Sequence, residues 1–302
     1  MVRPREFASN PQTKASNAIQ RFDEAPPADQ AQREALTQFE ALVAALRDAG
    51  VTVVVVDDDP SVWTPDAVFP NNWFSTHADG RFVLYPMLAP NRRAERRADV
   101  YERALPAAGF AVEQVIDLSA HEAQDVFLEG TGSLVLDRVH RVAYGCRSAR
   151  THDRAAEEFS RVLGYEVVLF DAHDPEGAEI YHTNVMMAMG EQFVVICSDA
   201  IVEADRNAVL ARLEATGRDI IEISQLQLAS FAGNVLELSV AGRKNVLAMS
   251  QSAHDAFSAS QMARLARLAQ PLAVDISTIE LCSGGSVRCM LAEIHLPQRG
   301  EA

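Results

Sequence analysis

Apolar and polar positions along this chain follow two periods, one helical and one alternating, and the chain switches between them many times. From Gln32 to Ala49 the apolar residues Leu36, Phe39, Leu42, Val43 and Leu46 recur at helical spacing, and Gly50 stands where a helix stops. The run VTVVVVD, 51–57, is short and β-branched, as in a strand buried on both faces. Residues 65–87 place a polar cluster ahead of two strand-like runs separated by Asp79-Gly80, which predicts a polar loop and a hairpin. The arginine-rich stretch 92–108 has helical character and reads as a solvated helix face. AVEQVIDL then gives a strand.

The same order returns down the chain. FLEGTGSLVLD (127–137) and VHRVAYGC form a second strand pair, a helix is predicted over 151–163, and EVVLFDA is a strand. A third hairpin spans 181–202, with a helix over 204–216 after it. A fourth follows IIEIS, then a helix over 258–268 and the strand LAVDIST. The last segment, ELCSGGSVRCMLAEIHLP (280–297), reads as a flexible glycine loop feeding an alternating strand from Met290 to Leu296, with Cys289 at the junction. Residues 1–30, polar and rich in Pro, Asn and Gln, predict an arm ahead of a single domain over 31–302.

Asn72, Glu129, His182, Asn234 and Cys289 recur at intervals of 52 to 57 residues, each at the head of a strand pair in a unit that also carries a helix. Five such units predict an α/β chain closed into a ring, helices outside and polar positions converging on the axis. Taken singly, each residue has an ordinary structural reading. A lone Cys is commonly a small buried hydrophobe, His182 could be a hydrogen-bonded core residue, Glu129 could cap a turn, and Asn is a common turn residue. Taken together, they surround a thiol with the base and the donors that a thiolate nucleophile requires.

Composition narrows the function classes. A formal net charge of -15 over 302 residues argues against binding nucleic acid or an anionic membrane, since both need basic patches. The four cysteines, Cys146, Cys197, Cys282 and Cys289, form no close metal-type pair, which argues against both a disulfide framework and a zinc site, and no motif implies a metal or an organic cofactor. No apolar run suits a signal peptide or a membrane span, and the cytoplasm is the expected compartment. Oligomeric state is left open.

The pattern resembles the pentein, or amidinotransferase, superfamily, which includes dimethylarginine dimethylaminohydrolases and arginine deiminases, and within it the citrulline utilization hydrolases. The resemblance rests on LEGTG, on His182 and on Cys289 in this order at this spacing, and it covers the chain beyond the first thirty residues. It implies a five-bladed α/β propeller, with Cys289 as nucleophile, His182 as general acid and base, and Glu129 as its acidic partner. PDAVFPNN matches a segment that ends in two carboxylates in the dimethylarginine hydrolases. Asn71 and Asn72 stand there instead, Asn184 replaces the Asp of a His-x-Asp, and Asp66 is retained. A guanidinium only donates hydrogen bonds, whereas a ureido group donates and accepts, as Asn does. Asp66, Asn71, Asn72, Asn184 and Asn234 are therefore the expected substrate-binding set. The expected chemistry is hydrolysis of a C–N bond in a guanidino or ureido compound, with citrulline or an arginine derivative as substrate. An amidinotransferase, a deiminase of arginine or dimethylarginine, and an inactive binding protein are the alternatives.

Overall fold

In the computed structural model, which describes residues 1–59 and 61–300, the chain is an α/β protein built on one repeated pattern. In four units a hairpin contributes two antiparallel strands, and a helical connection returns to a third strand that pairs in parallel with the second. The first unit has β3 (Phe74–Thr76), β4 (Arg81–Leu84) and β5 (Gln114–Asp117), and the second β6 (Val135–Asp137), β7 (Val142–Cys146) and β8 (Glu166–Phe170). The third has β9 (Met187–Met189), β10 (Phe193–Ile196) and β11 (Asp219–Glu222), and the fourth β12 (Leu236–Leu238), β13 (Val246–Ser250) and β14 (Gln270–Val274). These sheets are separate, and a short parallel pair, β1 (Val2–Arg3) with β2 (Val56–Asp57), stands apart from them.

Each hairpin is entered through a tight turn, and four of the five periodic polar residues sit at those entrances. Asn72 ends the helical turn Pro70–Asn72 before β3. Glu129 and His182 are the residues immediately before the short helices Gly130–Ser133 and Thr183–Met186. Asn234 lies just before β12, and Cys289 lies in a turn that no hairpin follows. The equivalence follows from the repeated connection, because a hairpin's first strand must begin where the chain crosses over from the preceding unit.

Helix Ala28–Asp48 joins β1 to β2 and buries Phe39, Leu42, Val43 and Leu46, the face given by its period. Burying each such side chain contributes about 1.5–3 kcal/mol. Among the described residues, no helix is long and apolar enough to cross a membrane.

Three expectations are corrected. The run 51–57 is laddered only at Val56–Asp57, and its valines are half-buried, since helix Ala28–Asp48 covers one side alone. Met290–Leu296 forms no strand. Thr76 Oγ1 donates to the Glu293 carbonyl (2.9 Å) and accepts from the His295 N–H (2.7 Å), so side-chain bonds replace a ladder there. The loop ahead of Cys289 is not flexible: Ser277–Ser283 is a helix, and the glycines that follow it are tightly held.

Candidate active site

Cys289 is carried by a turn fixed at several points. Gly284 ends helix Ser277–Ser283 in the left-handed region, at φ +66, and its N–H donates to the Glu280 carbonyl (2.8 Å). A Cβ on Gly285 would lie 2.8 Å from the Phe69 ring, so only glycine lets the backbone pass. The Cys289 N–H then donates to the Ser286 carbonyl at 2.9 Å. Asn234 Nδ2 lies 3.3 Å from the Cys289 sulfur and Asn184 Nδ2 lies 3.5 Å from it. The Arg288 N–H donates to Asn234 Oδ1 (3.1 Å), and Asn234 Nδ2 also donates to the Asn184 carbonyl (2.8 Å), which fixes the amide with its donor end toward the sulfur.

Glu129 is wholly buried. Its Oε2 lies 2.9 Å from His182 Nε2 and 3.3 Å from an Arg150 nitrogen, and its Oε1 accepts from the Leu88 N–H at 3.0 Å. Burial opposes its charge, but Arg150, His182 and Arg92 outweigh it and hold the carboxyl well below the usual carboxylate range. Burial also pushes His182 down to about 4, against the pull of Glu129. At neutral pH the pair is a carboxylate and a neutral imidazole. The carboxylate can only accept, so His182 Nε2 carries the hydrogen and Nδ1 keeps a lone pair. The glycines of LEGTG make this approach possible. A Cβ on Gly132 would lie 2.5 Å from Asn72 Nδ2 and 2.8 Å from His182 Nδ1, and one on Gly130 would lie 2.3 Å from the Asn71 carbonyl.

His182 and Cys289 line one narrow cavity together with Asp66, Asn72, Arg92, Arg150 and Tyr181, and residues Thr13 and Asn17 of the arm close over it. Asp66 accepts from Asn10 Nδ2 at 2.7 Å; burial raises its carboxyl and nearby Arg92 opposes the rise. Asn72 Oδ1 accepts from Arg92 at 2.8 Å. Asn71 lies behind the cavity wall, where its Oδ1 accepts from Asn72 Nδ2 (3.1 Å). Asp66, Asn72, His182 and Cys289 line the cavity itself, and Glu129, Asn71, Asn184 and Asn234 lie behind it, each bonded to one of them. Burial pushes the thiols of Cys146 and Cys197 up to about 12 and about 11, which keeps both protonated.

Sequence reasoning missed two buried cations and the buried polar residues of the arm. Arg92, read as part of a solvated helix face, is 2% exposed and forks onto Glu95 at 2.8 and 2.9 Å. Arg150 stacks on the Tyr181 ring (5.1 Å) and donates to Ser16 Oγ at 2.9 Å. Asn10, Thr13, Asn17 and Gln20 are buried, and their spacing of three to four residues was the signal available.

The family model for N,N dimethylarginine dimethylhydrolase, eukaryotic, matches residues 3–296. The chain belongs to this family. It is a member of the pentein superfamily, as the sequence motifs implied. No curated protein matches it. This family member is similar in structure to the product-bound N-terminal domain of ArgZ, an arginine dihydrolase from the ornithine-ammonia cycle in cyanobacteria, with TM-score 0.73, 20% identity and 98% of each chain covered. Unliganded AgrE gives 0.76 at 18% identity, covering 100% of this chain and 39% of that one. A dimethylarginine dimethylaminohydrolase variant, as an adduct with S-methyl-L-thiocitrulline, gives 0.61 at 20% identity over 86% and 88% of the two chains. At these identities the likeness is one of fold.

Proposed function

We propose that this chain is a cysteine-dependent hydrolase that cleaves a C–N bond of a guanidino or ureido amino acid, with citrulline or an arginine derivative as substrate. The observation that carries the reading is the pair of amide donors on the Cys289 sulfur beside a buried Glu129–His182 pair. Two N–H groups aimed at the sulfur can stabilise charge that develops there, and neutral His182 is ready to accept the thiol proton. The thiolate attacks the sp² carbon, and a C–N bond breaks as His182 returns its proton to the departing nitrogen. Water, deprotonated by His182, then attacks the S-bound carbon; the C–S bond breaks and the thiolate is restored. For citrulline, the first step releases ammonia, and water frees the S-bound group as the ornithine N-carbamate. Loss of carbon dioxide from that carbamate breaks the second C–N bond, so that with one water the balance is ornithine, ammonia and carbon dioxide.

Asp66 supplies a carboxyl acceptor and Arg150 a cation on the same cavity, a lining suited to an amino acid. Asn184 donates to sulfur while its Oδ1, without a hydrogen-bond partner among the described residues, offers an acceptor to a substrate N–H. Asn72 and Asn184 thus carry the ureido preference, and Asn71 supports Asn72. In this reading the five units form a propeller-like ring with the site on its axis, 31–302 is the catalytic domain, and the arm of 1–30 closes it in a cytoplasmic enzyme.

The test is ammonia release from the purified protein with citrulline, arginine, agmatine and dimethylarginine, with Cys289→Ala as control. Ornithine formed from citrulline and lost in the variant is the expected result. Turnover confined to arginine or its methylated form would overturn the ureido argument and leave the chemistry standing.

A further inference from the structure

A buried carboxylate that takes no part in the chemistry above lies directly behind the nucleophile turn. Glu280 is 5% exposed, and burial raises its carboxyl against three serine hydroxyls that hydrogen-bond to it. Its Oε1 accepts from Ser286 Oγ at 2.6 Å and its Oε2 from Ser252 Oγ at 2.7 Å. The Ser286 carbonyl in turn accepts from the Cys289 N–H at 2.9 Å and from the Met290 N–H at 3.3 Å. The Glu280 carbonyl also accepts from the Gly284 N–H at 2.8 Å. One residue therefore holds the turn at two places, its main chain closing the helix end and its side chain gripping the residue whose carbonyl sets the Cys289 backbone.

We infer that Glu280 is a positioning residue, which fixes the Cys289 sulfur against the Asn184 and Asn234 amides by holding the Ser286 hydroxyl. The inference rests on the nucleophile reading of Cys289. Ser286 is wholly buried, so no solvent can replace the acceptor that Glu280 provides, and a released hydroxyl must seek a partner elsewhere in the turn. The donors to the sulfur are already at 3.3 and 3.5 Å, and a small displacement of the turn takes the sulfur out of their reach. The role is geometric: a neutral acceptor of the same shape fulfils it.

The experiment compares Glu280→Ala, Glu280→Gln, Ser286→Ala and Ser252→Ala by turnover and by the rate of haloacetamide alkylation at Cys289, located by mass spectrometry. Glu280→Ala and Ser286→Ala are expected to lower kcat by about tenfold to a hundredfold with KM within about twofold, and to slow alkylation in parallel. Glu280→Gln, whose amide oxygen still accepts from Ser286, should recover most of that loss, and Ser252→Ala, which touches only the other oxygen, should stay within about twofold. An unchanged kcat and alkylation rate in Ser286→Ala, or a loss expressed only in KM, overturns the inference. So does a Glu280→Gln variant as impaired as Glu280→Ala. Should Glu280→Ala fail to fold, Ser286→Ala removes the single hydroxyl and decides alone. A wild-type protein silent on every substrate would count against the proposed activity, while alkylation would still decide the role of Glu280.

Discussion

A carboxylate removed from water stays ionised only where cations surround it, and Glu129 meets that condition through Arg150, Arg92 and its bond to His182. The pair makes the protein acid-sensitive. His182 has a folded value of about 4 against an ordinary 6.5, so between these values the unfolded chain binds a proton that the native protein does not. Stability therefore falls as pH drops from 6.5 to 4, and Glu129, depressed below 4.5, adds a further loss at lower pH. Thermal unfolding across pH 7 to 4 should show a falling Tm, and His182→Asn should flatten the upper part of that slope. Glu129→Gln frees the imidazole tautomer and leaves Arg150 buried without its anion. A kcat loss on the order of 10²–10⁴ is expected, together with a lower Tm. At this scale Glu129, His182 and Cys289 were legible because they fall at one position of a repeat. Arg92 and Arg150 were not, since nothing local separates a buried, paired arginine from a solvated one.

The elements are governed by close approach. Four hairpins were legible from alternation and turn residues, because each has its own ladder partner within the same unit. The β-branched run 51–57 and the alternating run 290–296 both read as strands, but a pattern cannot say whether a strand will lie beside them, and a ladder forms only at Val56–Asp57. Helix Ser277–Ser283 escaped notice because Thr278, Ile279 and Cys282 favour strands, and it exists through its burial and its Gly284 cap. The short helix Gly130–Ser133 presses on the Asn72 turn and on His182 with no room to spare. Gly132→Ala should therefore cost about 1–3 kcal/mol and abolish turnover, whereas Gly177→Ala, whose Cβ would meet nothing within 4 Å but whose φ of +86 strains an L side chain, should lose stability and keep turnover. Denaturant unfolding and ammonia release would read the two effects separately.

Across the whole molecule the net charge is -15 and most of the 27 Lys and Arg lie at or near the surface, whereas Arg92 and Arg150 are buried against carboxylates. The site is also stitched together from opposite ends of the sequence. Ser9 Oγ and Gln20 Nε2 donate to the Cys282 carbonyl, and Asn17 Nδ2 donates to that of Ser283, across separations of 273, 262 and 266 residues. Asn17→Ala should loosen the turn beneath it and raise KM more than it lowers kcat, which steady-state kinetics would show.

These long-range bonds carry a consequence in time. At a synthesis rate of about 5–20 residues per second, the segment 9–20 waits roughly 15 to 55 s for its partners at 282–283 to be made. The four sheets can form in order as their own residues emerge, but the Cys289 turn and the arm that braces it can meet only once residues 282–289 have been made. The bracing of the Cys289 turn is thus a late event of biogenesis, and a ribosome-stalled chain ending at residue 276 should hold its four sheets while segment 9–20 stays unpaired, which limited proteolysis of the stalled chain would show.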